Sequence, residues 1–136
     1  MTTENKDIRW QQRFQNYEKA FKLLERTLKI KNPSEAEMGG LIQFYEMSFE
    51  LAWKVIKDYL DVQGFAVKSP RQAIKQAFQI NIIEDGHVWI AALDDRNLTS
   101  HTYDKNTAIK VILEIREKYF PALNQLYSYL KSRIKS

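Results

Sequence analysis

The sequence contains no cysteine and only two histidines, His87 and His101. Disulfides and thiolate metal sites are excluded, and two imidazoles are too few to hold a structural zinc, so no metal or other cofactor is expected. No apolar run approaches membrane-spanning length. The opening ten residues carry charges of both signs without an apolar core, so they read as neither signal peptide nor anchor, and a cytoplasmic protein with no membrane role is expected. Internal repeats, low-complexity tracts and interdomain linkers are also missing. What is present is 44% hydrophobic and 12% aromatic residues, enough apolar surface to offset chain entropy. At 136 residues the expectation is one domain, 1–136, around one core.

A net charge of +4 and a pI near 9.2 suit an acidic partner, whether nucleotide, nucleic acid or acidic protein surface. Lys and Arg are nonetheless spread along the chain. The dense cluster Lys131, Arg133 and Lys135 falls in the last turn of an expected helix, where cations favour the helix dipole in any case.

Trp10, Phe14, Tyr17, Phe21, Leu24 and Leu28 recur at alternating spacings of four and three, which predicts a helix from about Asp7 to Ile30. Ser34 can cap a second helix with Glu35 and Glu37 in its first turn, although Gly39-Gly40 weakens that start. From Leu41 two apolar seams run side by side. So wide an arc is buried on more than one side, either at the centre of a bundle or between bundle and partner. On its polar edge, Glu50 with Lys54 and Lys57 with Asp61 are spaced as surface ion pairs. Gly64 fits the helix end.

Ser69-Pro70 predicts a short helix to about Ile80. Around Asp85-Gly86 a hairpin is conceivable, but two strands among helical patterns would be marginal, and a turn with Asp85 capping another helix is preferred. His87 falls in its first turn and reads as structural or exposed. Asp104 can cap a last long helix, with Pro121 predicting a kink or short break near Lys118 to Phe120. The fold class is all-α: an antiparallel up-and-down bundle of four main helices plus a short one.

The polar stretch from Asp94 to Asp104 stands apart. If the fourth helix continues to about Thr102, Asn97 and His101 share a face, Arg96 and Tyr103 align two turns apart, and Asp94 lies on the His101 side. Guanidinium, imidazole, amide and phenol at one helix end suit a phosphate ester: Arg offers planar two-donor recognition, and His moves protons near neutral pH. The plainer reading is that Arg96 pairs with Asp94 or Asp95, His101 caps or packs at a helix end, and Tyr103 is core.

The run Arg96-Asn97-x-x-x-His101-x-Tyr103 resembles the signature of the HEPN superfamily, and its His-x-Tyr extension resembles the branch paired with minimal nucleotidyltransferases. Ser48-Phe49-Glu50-Leu51-Ala52-Trp53-Lys54 and Lys57-Asp58-Tyr59-Leu60 are similar to the second-helix pattern of nucleotidyltransferase substrate-binding proteins, so the resemblance extends over nearly the whole chain. It implies a helical bundle, a homodimer, and a nucleotidyltransferase encoded alongside, in a toxin–antitoxin-like pair or larger hetero-oligomer. Its site would bind nucleotide or RNA through Arg96, Asn97, His101 and Tyr103, supported by Asp94, Glu50 and Lys54.

Two chemistries follow from the resemblance. In one, the protein presents substrate to its partner, and Tyr103 accepts adenylate. In the other, Arg96 and His101 from two copies cleave RNA without metal. A third alternative is a non-catalytic helical adaptor whose motif has lost its chemistry. The chain has neither the Gly-Ser motif nor the clustered aspartates of the transferase, so it is not expected to be that enzyme itself.

Overall fold

Helical periodicity runs through almost the whole chain, and the structure, a computed structural model, follows it. The backbone is described for residues 3–99 and 104–134, and the side chains over the same ranges apart from 3 and 96–99. The elements are α1 (Thr3–Leu28), α2 (Glu35–Val62), α3 (Pro70–Gln79), α4 (Gly86–Thr99), α5 (Lys105–Glu114), a π-helical turn (Ile115–Tyr119) and α6 (Phe120–Lys131). The last three form one long rod. Four rods and the short α3 therefore match the expected bundle, with no strand among the described residues.

Each boundary has a local cause. At the start of α2 the Ser34 hydroxyl accepts from the Glu37 amide at 3.1 Å while the Glu37 carboxylate accepts from the Ser34 amide at 2.9 Å. This reciprocal cap satisfies two otherwise orphaned donors, and the helix runs unbroken through Gly39-Gly40. Gly64, at φ 92°, takes the left-handed conformation just beyond α2. Ser69 caps α3, with Pro70 in its first turn. The segment between α3 and α4 is a turn, as preferred, with Ile82 and Ile83 buried. Gln125 of α6 secures it, donating to the Ile82 carbonyl at 3.1 Å and accepting from the Glu84 amide at 3.2 Å. Asp85 then caps α4 through the Val88 amide. A Cβ at Gly86 would lie 3.0 Å from the Phe78 ring, so a larger residue there would need the half-exposed Phe78 side chain to shift.

Of the kink or short break expected near Lys118 to Phe120, the break does not occur: the rod is continuous, and the disturbance ahead of Pro121 is the π-helical turn over Ile115–Tyr119. Without an N–H, and with its ring against the carbonyl four residues back, Pro121 cannot follow an ordinary α turn. The helix widens instead just before it, and the Phe120 amide reaches five residues back to the Ile115 carbonyl.

Aromatic contacts fix the directions of the rods. Phe21 stacks on Phe120 at 5.1 Å and Phe14 on Tyr127 at 5.6 Å, so α1 and α6 are antiparallel. Tyr45 meets Tyr119 and Tyr59 meets Tyr129, so α2 and the last rod are parallel. α1 packs along α2, burying Trp10, Phe14, Tyr17, Phe21 and Leu24. α2 is the central element, in contact with α1, α3, α5 and α6. Its wide apolar arc is thus explained within the chain, and of that helix Met47 is the large apolar side chain left exposed.

Candidate functional site

The C-terminal half of α4 carries Asp94, Asp95, Arg96 and Asn97. Trp89, Ala92 and Leu93 of the same helix are buried.

The two aspartates are engaged by other elements. Asp94 accepts from Arg71 Nη2 of α3 at 2.9 Å. Asp95 accepts a hydrogen bond from the Tyr119 hydroxyl in the π turn. Tyr119 is buried and lies nearly parallel to Tyr45 of α2, ring centroids 5.5 Å apart. Burial first, then the Asp95 carboxylate, holds the Tyr119 phenol well above its ordinary range, so it stays a donor at any physiological pH. At the other end of the polar stretch, Asp104 caps α5, accepting from the Thr107 amide at 2.9 Å and the Thr107 hydroxyl at 2.7 Å. Those bonds hold its carboxyl below the usual range.

The positions singled out by sequence are thereby assigned surroundings or a backbone position wherever they are described. Arg96 and Asn97 occupy the last turns of α4, and Asp94 pairs with α3. Glu50 and Lys54 form their expected i,i+4 pair at 3.5 Å on the surface of α2. Glu50 is five residues from Tyr45, about 7.5 Å along the helix axis. Asp61 is met by Lys6 of α1 at 3.4 Å rather than by Lys57. His101 and Tyr103 lie outside the described residues. His87 is exposed, as read.

The partners of the aspartates, Arg71 and Tyr119, were not legible beforehand. Only the fold reveals what the Tyr119 hydroxyl reaches.

Behind α4, the void bordered by Tyr45, Phe49, Trp89 and Tyr119 measures about 10 Å³. It is too small for anything beyond a single water. An open depression of about 540 Å³ lies at the α1–α2 turn, with Lys29, Lys31 and Arg116 on its wall. Arg116 donates to the Leu28 carbonyl at 3.0 Å, and cations there complement the C-terminal end of α1. No cluster of three or more acidic or histidine side chains is placed to hold a metal ion among the described residues. Among them, too, no helix is long and apolar enough to cross a membrane.

Comparison with known proteins adds an independent line. The profile of a family described as nucleotidyltransferase substrate binding protein like matches residues 12–132. Over 83 residues the chain is 31% identical to a Haemophilus influenzae protein named probable ribonuclease HepT. That match covers 57% of each, so the chain spans little more than half the length of this curated relative. A solved Haemophilus influenzae structure, described as revealing the fold of a substrate binding domain of a nucleotidyltransferase, superimposes with a TM-score of 0.75 at 26% identity, covering 87% of this chain and 98% of that one. A protein from Thermus thermophilus gives a TM-score of 0.72 at 28% identity, covering 88% and 99%.

Proposed function

The chain belongs to the nucleotidyltransferase substrate binding protein like family, and on that premise we propose that it is the substrate- or nucleotide-binding partner subunit of a minimal nucleotidyltransferase encoded alongside it. The two form a toxin–antitoxin-like pair in the cytoplasm. Arg96, Asn97, His101 and Tyr103 make the site, with Asp94, Glu50 and Lys54 in support. The observation that carries this reading is the family match over residues 12–132 on a fold shared with a nucleotidyltransferase substrate binding domain.

Tyr103 is the adenylate acceptor. Its phenol oxygen attacks the α-phosphorus of ATP, a phosphodiester bond forms to the tyrosine, pyrophosphate leaves and the phenol proton is lost. A phenol with a pKa of about 10 is a poor nucleophile at neutral pH, so activation would have to come from a metal-ion site on the transferase. A nucleotide-binding measurement on the purified complex tests the site. Arg96→Ala is expected to weaken binding at least tenfold, about 1.4 kcal/mol; unchanged binding in that variant counts against the assignment.

The similarity to a probable ribonuclease favours a second reading of the same residues. In a homodimer, His101 moves the proton of the 2′-hydroxyl or of the leaving oxygen, and Arg96 stabilises the charge on phosphorus. Ile109 and Leu113, 41% and 46% exposed and one turn apart on α5, support a self-association face close to the polar stretch. Adenylate on Tyr103 would put a phosphate where the RNA phosphate must bind, silencing cleavage. RNA cleavage by purified protein, compared with Arg96→Ala and His101→Ala, tests this. Activity that survives both changes belongs to another site or another protein.

A further inference from the structure

Consecutive residues on a helix point about 100° apart, so two adjacent carboxylates can be held by two different neighbours. α4 uses this at Asp94 and Asp95. Asp94 reaches α3 through Arg71, and Asp95 reaches the last rod through Tyr119. The two ties are unequal. The Arg71–Asp94 pair is about half exposed on both sides, where such pairs contribute little. The Tyr119–Asp95 bond is partly buried and has a charged acceptor, which makes it the stronger restraint.

Tyr119 is itself tightly placed. Its ring is 3% exposed and stacked on Tyr45 of the central helix. Its backbone belongs to the π turn that Pro121 imposes. A chain of fixed elements thus leads from Pro121, through the π turn and Tyr119, to Asp95, the residue immediately before Arg96.

We propose that Tyr119 and Asp95 are positioning residues for the phosphate-facing site, bracing the last turns of α4 so that Arg96 and Asn97 are held ready for substrate. This rests on the reading of Arg96 and its neighbours as that site. The bond has a second effect. A free carboxylate beside a phosphate-binding residue repels an anionic substrate, and donation from Tyr119 offsets part of that charge. Arg71 contributes a weaker restraint of the same kind.

The test uses the full-length protein, alone for RNA cleavage and with its transferase for adenylate transfer, and compares Tyr119→Phe, Asp95→Ala, Asp95→Asn and Arg96→Ala. Tyr119→Phe keeps the ring stack and loses only the donor, while Asp95→Asn keeps an acceptor oxygen. In whichever reaction the wild-type protein supports, Tyr119→Phe and Asp95→Ala are expected to lower kcat about tenfold through loss of preorganisation. KM should stay within about twofold, because ground-state binding is largely retained. Asp95→Asn should recover most of the rate, and combining Tyr119→Phe with Asp95→Ala should be no worse than either alone, since both remove one interaction. Thermal unfolding of each variant separates positioning from general destabilisation. A wild-type rate in Tyr119→Phe with Arg96→Ala inactive overturns the proposal alone. A rate loss that tracks melting temperature across the variants, without rescue by Asp95→Asn, overturns it as well. No reaction in the wild type, or full activity in Arg96→Ala, overturns the site reading and the proposal with it.

Discussion

Replacing Gln125 by leucine should loosen the turn that launches α4, and the size of the effect can be worked from two hydrogen bonds. The amide donates to the Ile82 carbonyl, which is partly buried, and accepts from the Glu84 amide, which is exposed. The lost bond to Ile82 leaves an acceptor poorly solvated, at a cost of about 1 to 1.5 kcal/mol, while the Glu84 amide regains water and loses about 0.5 kcal/mol. The sum is roughly 2 kcal/mol, and for a domain of this size it lowers the melting temperature by about 6 to 8 °C. Urea unfolding should show a lower midpoint at an unchanged slope. Hydrogen exchange at the Glu84 amide should speed up ahead of exchange in the core of α2. Gln125→Glu keeps the acceptor but removes the donor, so it should not rescue stability at neutral pH. If Gln125→Leu unfolds within about 0.5 kcal/mol of the wild type, the side chain is not securing the turn and the reasoning is wrong.

Ser34→Ala removes half of the reciprocal cap on α2 and should destabilise by about 1 kcal/mol, measured by urea unfolding, with the Gly39-Gly40 turn fraying first in hydrogen exchange. The hydrogen bond from Tyr127, and then Lys131, holds the Glu18 carboxyl below its ordinary value. A depressed folded pKa stabilises above the unfolded pKa and is lost as pH falls through the folded one, so Tyr127→Phe should flatten the acid limb of the stability profile below pH 4.5. Burial, and then Glu18, pushes the Tyr127 phenol from 10.0 up to about 12, so its contribution is present below pH 10 and lost as the pH rises through about 12. In the self-association reading, Ile109→Glu with Leu113→Glu should shift sedimentation from dimer to monomer with the helical content unchanged; a dimer that persists would exclude that face.

Much of the fold was legible because its determinants are local or periodic. The seam from Trp10 to Leu24, the caps at Ser34, Ser69, Asp85 and Asp104, and the stop at Gly64 all act within a few residues of themselves. The response to Pro121 was legible in position and not in kind. A missing amide announces a disturbance, but whether the helix breaks or widens depends on what packs against it, here Tyr119 on Tyr45. The hydroxyl of Tyr17, fully buried and donating to the Leu123 carbonyl at 2.7 Å, illustrates the same limit. Spacing marks it as core and cannot say where its polar end goes.

The candidate site divides in the same way. Arg96-Asn97 and the residues after it stand out by chemistry and by resemblance. Arg71, Tyr119 and Gln125 come from three different elements, and no spacing rule links them to α4. Asp94 and Asp95 are each engaged by a residue from another element, a link that a local reading of the stretch does not contain.

The most direct test of the central claim is peptide mapping by mass spectrometry of the protein produced with and without its transferase. Adenylate on Tyr103, present only with the transferase and absent in Tyr103→Phe, is the expected result. An unmodified Tyr103 in the presence of an active transferase, or adenylate confined to another residue, would contradict the account.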